Sequence, residues 1–196
     1  MTTRVTCSDE DDMKKLIRML QYLNGTKELA LTLNGSKNDD VKWWVDSSYA
    51  MHPDFKSHTG IALSMGKGTP VCVSTKQKLN TISSTEAELV GASDAMPHVM
   101  WTRYFLREQG YGATVPIMYQ DNKSAILLET NGARSSSKRT KHINIRYYFI
   151  ADRIKKGELK VEYCPTCTML ADFFTKPLQG KLFIKLRSQI LNLHNE

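Results

Sequence analysis

The chain is expected to fold around one strand, Val41-Lys42-Trp43-Trp44-Val45-Asp46-Ser47-Ser48. Apolar and aromatic residues dominate this stretch, which is typical of a buried strand. An acid, Asp46, lies near its end, and a buried carboxylate is costly unless a cation lies beside it. Three later segments each supply a further acid: Thr85–Leu89, Tyr119–Asn122 and Leu170–Phe173. We expect these acids to meet Asp46 and to hold divalent metal ions.

Length and composition limit the possible classes of protein. The 196 residues suffice for one domain of ordinary size and an appendage, and 41% of them are hydrophobic. No stretch approaches the roughly 20 apolar residues of a membrane span, and the N-terminus lacks an apolar signal core. We therefore expect no membrane partner and an intracellular location, either a cytoplasmic particle or the nucleus. The formal net charge of +7 favours a polyanionic partner such as nucleic acid.

Cys164 and Cys167 have the Cys-x-x-Cys spacing of half a zinc site or of a redox pair. A structural zinc site needs four ligands, and no second Cys-x-x-Cys or close histidine pair accompanies this one. The sequence therefore favours ordinary cysteines over a metal or redox site.

The first part of the chain is expected to form an appendage. A helix is predicted over 8–23, with a capping box that begins at Ser8. Alternating leucines over 29–33 predict a strand, and the polar residues 34–38 predict a linker. The main domain is expected over 39–196.

The pattern of the main domain predicts an α/β fold with a five-stranded mixed sheet flanked by helices. Three strands joined by short turns predict an antiparallel meander, and two later strands that alternate with helices predict parallel crossovers. Such crossovers place Asp46 and Asp121 at the same edge of neighbouring strands. In one helix, Ile145, Phe149 and Ile150 are expected to face the core. The strands are expected over 41–48, 59–64, 70–75, 115–120 and 159–164, and the helices over 83–109, 122–129, 142–156, 170–175 and 181–193.

Two glutamates on the long helix compete for a place beside Asp46. Glu86 and Glu88 are two residues apart, so their side chains point roughly 200° apart and cannot share one site. Small residues on the face of Glu88 allow close packing against the sheet, which favours Glu88 as the site residue. Glu86 forms a capping box with Ser83. Thr85 and Glu88 match the same capping pattern, so a capping role for Glu88 stays open.

Asp121 and Asp172 also have structural alternatives, as a helix N-cap and as an acid that opposes a helix dipole. The catalytic hypothesis depends on all four acids meeting. Like charges about 4 Å apart repel strongly at low dielectric. Two Mg²⁺ or Mn²⁺ ions, which prefer oxygen ligands, would relieve that repulsion. Ions about 3.5–4 Å apart activate a water and stabilise the leaving oxygen of a phosphodiester.

Five motifs then occur in an order that resembles the ribonuclease H domain of copia-type retrotransposon polyproteins. They are Asp46–Ala50, Ser83–Leu89, Asp121–Ala125, Arg139–Ile143 and Ala171–Leu178. The resemblance covers about residue 40 to the C-terminus and implies a ribonuclease H-like fold. The preceding helix, with Gly25-Thr26-Lys27, resembles the connection that follows the reverse transcriptase. The resemblance thus implies the C-terminal piece of a longer polyprotein.

The resemblance implies an enzyme, ribonuclease H, which hydrolyses the RNA strand of RNA–DNA hybrids with two Mg²⁺ ions, or with Mn²⁺. The products would carry 5′-phosphate and 3′-hydroxyl ends. Many ribonucleases H carry a histidine in the loop before the last acid, whereas Pro165–Met169 has none, which implies slower product release or a different proton carrier. The alternative is a non-catalytic nucleic-acid-binding module of a reverse transcriptase. Matched motif by motif, the catalytic and metal-binding acids are Asp46, Glu88, Asp121 and Asp172.

Contacts to the RNA–DNA hybrid are expected from two groups of residues. Polar side chains that flank the acids suit sugar hydroxyls, and a basic run with one histidine suits phosphates. The alternative for the basic run is a solvated loop. The expected protein partner is the reverse transcriptase portion of the same polyprotein. The polar group is Ser47, Asn80, Ser83, Thr85 and Ser124, and the basic group is Lys138, Arg139, Lys141, His142 and Arg146.

Overall fold

A mixed five-stranded sheet organises the fold in the computed structural model, which describes residues 5–35, 40–112, 115–132 and 144–193, without the side chains of residues 144, 145 and 147. Two further short strands form a separate ladder. The strands are β1 (Asn34–Gly35), β2 (Lys42–Ser48), β3 (His58–Ser64), β4 (Gly66–Lys67), β5 (Val71–Lys76), β6 (Ile117–Gln120) and β7 (Lys160–Tyr163).

The sheet has the order β5-β3-β2-β6-β7. Its first half is an antiparallel meander in which β2 pairs with β3 and β3 with β5. Its second half is parallel, because β6 pairs with β2 and β7 with β6 in the same direction. The prediction of a mixed α/β sheet, with a meander followed by two parallel strands, is confirmed.

Helices cover both faces of this sheet. On one face, α2 buries its Ala92–Met96 segment against Trp43 and Val45 of β2. On the other face, α6 buries Leu186 and Ile190 against Ala62 of β3. The helices are α1 (Glu10–Gly25), α2 (Ser84–Glu108), α3 (Lys123–Asn131), α4 (Asn144–Lys155), α5 (Asp172–Thr175) and α6 (Gly180–Leu191), with a 3₁₀ turn at Thr166–Thr168.

The local predictions for the start of α1, for residues 29–33 and for Phe149 are wrong. The N-cap of α1 is Asp9 rather than Ser8, because Asp9 and Asp12 complete a capping box with each other's backbone N–H groups. Residues 29–33 do not form a strand. Phe149 is 43% exposed instead of facing the core, although its neighbour Ile150 is fully buried.

The segment after α1 is joined to the main domain by backbone hydrogen bonds. Its strand β1 pairs with β4, although residues 34–38 were predicted to be a linker. Thr32 donates its N–H to the carbonyl of Leu191 at the end of α6 (3.0 Å). Most of the apolar side chains of α1, among them Met13 and Leu20, stay exposed. Within the described part of the chain, no helix combines the length and the hydropathy that crossing a bilayer requires.

Two glycines let the flanking helices approach the sheet where β2 ends. Gly60 lies opposite Asp46 in the β2–β3 register, and a Cβ there would lie 2.7 Å from the carbonyl oxygen of Ala171, just before α5. On the opposite face, a Cβ on Gly91 of α2 would collide with the side chain of Ser47. Both helices therefore lie closer to the end of β2 than any larger residue at these two positions would permit.

A buried acid–amide pair lies behind this end of the sheet. The Gln120 side-chain amide donates to Glu129 Oε1 of α3 (2.9 Å), and both residues are fully buried. Among the described residues, neither Glu129 Oε2 nor Gln120 Oε1 has a hydrogen-bond partner. A protonated Glu129 would supply a donor to this pair, whereas an ionised one would be a buried charge with no cationic partner in the described part of the chain.

The substitution Glu129→Gln is expected to make stability less dependent on pH. Burial raises the pKa of Glu129 from 4.5 to about 8, and the hydrogen bond from Gln120 partly opposes that rise. A carboxyl whose pKa is higher in the folded state contributes its stability below the unfolded pKa. It loses that stability as pH rises toward the folded pKa, by up to about 1.4 kcal/mol per pH unit. Urea unfolding across this pH range measures the slope.

The exposed Glu162→Gln variant is the control and should keep the wild-type slope, since it removes a carboxyl that lies at the surface. An unchanged slope in Glu129→Gln would show that Glu129 keeps the same protonation state in the folded and unfolded chains.

Candidate metal centre

Three carboxylates from separate elements meet at the end of β2. Asp46 belongs to β2, Glu88 to the first turns of α2, and Asp121 follows β6 directly. One oxygen of each lies within 4.8 Å of the others. Asp46 and Glu88 are buried, and Asp121 is half-buried. The parallel pairing of β2 with β6 brings the first and third acids to the same edge of the sheet.

Glu88 points into this cluster, and Glu86 does not. The Glu86 carboxylate accepts the backbone N–H of Ile82 (2.8 Å), and Ser83 is the N-cap of α2. The alternative cap at Thr85 does not form, because Thr85 lies inside the helix. Burial, together with the negative charges of Asp46 and Asp121, raises the pKa of Glu88 to about 9.

The fourth acid, Asp172, joins the cluster through a lysine. The Lys176 ammonium lies 2.7 Å from Asp172 Oδ1 and 3.4 Å from Asp46 Oδ1. Burial raises the pKa of the Asp172 carboxyl to about 6, although its hydrogen bond from Lys176 acts in the opposite direction. Asp46 also accepts a hydrogen bond from the Thr175 hydroxyl. Without a metal ion, Lys176 is thus the cation that offsets two of the four acids.

Asp121 is not the N-cap of α3. That role belongs to Asn122, whose side-chain oxygen accepts the N–H groups of Ser124 (3.0 Å) and Ala125 (3.1 Å). The Asp121 carboxylate instead accepts a hydrogen bond from the hydroxyl of Thr166 (3.3 Å), in the loop that lacks a histidine. Its side chain is therefore available to the acid cluster.

Sequence reasoning missed the polar residues that support these acids. Lys176 follows Asp172 by four residues, a spacing typical of helical ion pairs, so the sequence did contain a signal for it. Thr175 and Thr166 carry no comparable signal, because their partners Asp46 and Asp121 are 129 and 45 residues away.

Internal contacts engage several of the predicted substrate-binding side chains. Ser47 is buried and accepts a hydrogen bond from Gln77 (3.4 Å). Asn80 donates to the carbonyl of Asp54 (3.3 Å), and Ser83 caps α2. Ser124 is exposed at the start of α3, and Thr85 is half-buried. Their role toward a substrate stays a prediction.

The predicted basic run falls mostly outside the described residues. Lys138, Arg139, Lys141 and His142 all lie there. Arg146, in α4, is described, and its guanidinium lies 2.7 Å from the Asp94 carboxylate of α2. This ion pair links α4 to the helix that carries Glu88.

The acid cluster fits a divalent cation of the Mg²⁺ or Mn²⁺ type. Its donors are all carboxylate oxygens, which such hard ions prefer. Glu88 Oε2 is buried and has no hydrogen-bond partner among the described residues, so a bound cation would give this oxygen a partner. The cysteines contribute nothing to it, because all four are free thiols and none belongs to the cluster.

Known proteins resemble this chain in sequence and in fold. The chain is 33% identical over 183 residues to the retrovirus-related Pol polyprotein from transposon RE1 of Arabidopsis thaliana. It is 32% identical over 178 residues to the corresponding polyprotein from transposon TNT 1-94 of Nicotiana tabacum. These alignments cover 92% and 90% of the chain, but 12% and 13% of the polyproteins. The chain therefore spans about an eighth of the length of these relatives. No family model matches it.

Among solved structures, the fold resembles LC11-RNase H1, which was isolated from compost by a metagenomic approach. The TM-score is 0.50 at 13% sequence identity, and the match covers 65% of this chain and 86% of that one. The fold is therefore that of ribonuclease H, with a carboxylate cluster at the end of its central parallel strand pair. The chain itself is a homologue of a segment of the retrovirus-related Pol polyproteins of plant transposons, and the resemblance predicted from its motifs is confirmed.

Metal binding is expected to release about one proton at neutral pH. Since the pKa of Glu88 is about 9 in the metal-free protein, this carboxyl is protonated at pH 7 and must ionise to bind a cation. Affinity for Mn²⁺ should therefore rise by up to about tenfold per pH unit below that pKa. Calorimetric titration with Mn²⁺ in two buffers of different ionisation enthalpy measures the released proton.

The substitution Glu88→Gln should abolish this proton release. Glu86→Gln, on the same helix turn, is the matched control and should retain it because Glu86 caps the helix. Proton release that survives in Glu88→Gln would assign the proton to another group.

The substitution Lys176→Met is expected to strengthen metal binding and to weaken the metal-free fold. The ammonium lies between Asp46 and Asp172, so it competes with a divalent ion for the same oxygens. Removing it should raise the affinity for Mn²⁺ about tenfold and lower metal-free stability by about 2 kcal/mol. Thermal unfolding with EDTA and with saturating Mn²⁺ measures both effects.

The matched control is Lys156→Met, because Lys156 forms an i,i+4 ion pair with Asp152 at the surface that is nearly as short (2.8 Å). Its loss should change stability little. A metal affinity unaffected by Lys176→Met would rule out competition at these carboxylates.

Proposed function

We propose that the chain is a metal-dependent ribonuclease H, an endoribonuclease that hydrolyses the RNA strand of RNA–DNA hybrids. The observation that carries this proposal is the meeting of Asp46, Glu88 and Asp121 within 4.8 Å on a ribonuclease H fold, with Asp172 joined through Lys176. Four converging acids favour hydrolysis by a metal-activated water. The products would carry 5′-phosphate and 3′-hydroxyl ends.

The proposed ligands are the four acids, which would hold two Mg²⁺ ions, or Mn²⁺. Ions bound there would activate the attacking water and stabilise the leaving oxygen. Asp46 and Glu88 contribute buried oxygens that hold a fixed position, because Thr175 and the Ser47 backbone N–H bind them. Thr166 holds Asp121 from the loop that carries a histidine in many ribonucleases H.

The wider assignments are part of the same proposal. Residues 39–196 would form the ribonuclease domain, and 1–38 would be an appendage toward the reverse transcriptase portion of an intracellular polyprotein. The length of the Pol relatives supports such a partner. The hybrid would be held by Ser47, Asn80, Ser83, Thr85, Ser124, Lys138, Arg139, Lys141, His142 and Arg146.

The decisive experiment is cleavage of a hybrid whose RNA strand is labelled, with Mg²⁺ or Mn²⁺. Glu88→Gln and Asp121→Asn should each reduce cleavage about 100-fold or more, because each removes a proposed metal ligand. The labelled products should be fragments produced by cleavage inside the RNA strand, not single nucleotides removed from its end. They should carry 5′-phosphates. Folding of each variant is checked by its thermal unfolding curve.

Glu86→Gln is the control, with the same charge change two residues from Glu88. It should cleave within about threefold of wild type and lose about 1 kcal/mol of stability from its cap. Cleavage by the Glu88→Gln and Asp121→Asn variants equal to that of the wild type would refute catalysis at this cluster. Hybrid binding without any cleavage would favour the non-catalytic module.

A further inference from the structure

A cavity of about 950 Å³ opens on the sheet face opposite α2, between the strands β2 and β6 and the helix α6. The charged side chains in its lining are all lysines, and no described acid lines it. They come from three elements: Lys42 from β2, Lys67 from β4, and Lys181 and Lys185 from α6. Such a concentration of one sign of charge attracts anions.

Most of these lysines have no carboxylate partner among the described residues. Lys185 donates to the carbonyl of Cys167 (2.9 Å), which leaves its charge uncompensated. Within the described part of the chain, Lys67 and Lys181 form no ion pair. Lys42 lies 3.4 Å from Asp40 at the surface. A second acid, Glu162, lies beside Tyr119 in the β6–β7 register and outside the lining of the cavity.

Two aromatic rings lie on the floor of the cavity. Trp44 and Tyr119 face each other across β2 and β6, with ring centroids 5.3 Å apart and planes 30° apart. Each ring precedes a site acid by two residues, Trp44 before Asp46 and Tyr119 before Asp121. Because side chains alternate along a strand, Trp44 and Asp46 lie on the same face, roughly 7 Å apart along it. Ala171 belongs to the cluster packed against both rings, and α5 covers Asp46 on the same face, so the cavity and the acid cluster are separate sites.

We propose that this cavity binds single-stranded nucleic acid. Proteins that bind single strands combine a positively charged groove for the phosphates with aromatic side chains for the bases. The four lysines and the Trp44–Tyr119 pair supply both components. A duplex would not expose its bases to these rings. The carboxylates of an acidic peptide would bind the lysines but would not stack on the rings. The volume suits a few nucleotides.

The proposal goes beyond hybrid cleavage, because it assigns a second binding surface that does not include the acids. If the chain does cleave hybrids, this surface would hold unpaired nucleotides that extend from the hybrid. Failure of this proposal can be distinguished from failure of the proposed hybrid cleavage, because single-strand binding is measured in EDTA, where no metal-dependent cleavage occurs.

The test is fluorescence anisotropy of a short labelled oligouridylate, titrated with the full chain in EDTA across a range of salt concentrations. The double variant Lys181→Gln/Lys185→Gln should bind about tenfold more weakly at moderate salt. Its slope of log affinity against log salt should fall by about 1.4, because each lost phosphate contact on a single strand contributes about 0.7. Both residues are exposed on α6, so the fold should tolerate the change.

The matched control is Lys14→Gln/Lys15→Gln, which removes the same charge from exposed positions on α1 outside the cavity. It should leave the salt slope within error of wild type. A second readout is photocrosslinking with 4-thiouridine in the same oligonucleotide, which should label peptides that contain Trp44 or Tyr119. Equal losses in the two double variants, or crosslinks that map only elsewhere, would overturn the proposal.

Discussion

Mutual repulsion among carboxylates at the end of β2 is the constraint to which the surrounding structure responds. Asp46 and Asp172 are almost fully buried, and Glu88 is 5% exposed. Three features of the chain itself offset their charge: the Lys176 ammonium, the Thr175 hydroxyl and the high proton affinity of Glu88. A divalent cation would replace the first and the third of these. The metal-free cluster is therefore a folded state that a bound ion would alter by displacing a lysine and a proton.

The backbone sets the geometry that makes this repulsion unavoidable. Gly60 lies opposite Asp46 and admits α5 on one face of the sheet, while Gly91 admits α2 on the other. Larger residues at either position would push a helix outward and separate the acids, which would lower the repulsion and disperse the ligands. The cluster therefore depends on close helix-to-sheet packing, and within it Glu88 Oε2 has no described hydrogen-bond partner.

The parts of the fold with strong local periodicity were predictable, and the parts that depend on distant partners were not. The apolar run of β2 and the long helix α2 follow directly from sequence pattern, and the helical period alone separates Glu86 from Glu88. Leucines over 29–33 alternate like a strand, yet only the two residues of β1 find a partner strand, in β4. The role of Thr166 could not be predicted for the same reason, because its contact with Asp121 depends on the position of the loop that follows β7. The four acids could be proposed from sequence motifs, but the distances between them could not be predicted from the sequence.

Charge on this chain is divided in a way that suits a polyanionic ligand. The proposed metal ligands concentrate negative charge in one small pocket, which by itself would repel a phosphodiester strand. The chain as a whole still carries a net charge of +7, and four of its lysines line the cavity on the sheet face opposite α2. A strand held by those lysines would have its phosphates neutralised away from the acids, because α5 covers Asp46 on that sheet face. The acids can then remain close together for metal binding, because the attraction for a polyanionic strand comes from the lysines of the cavity.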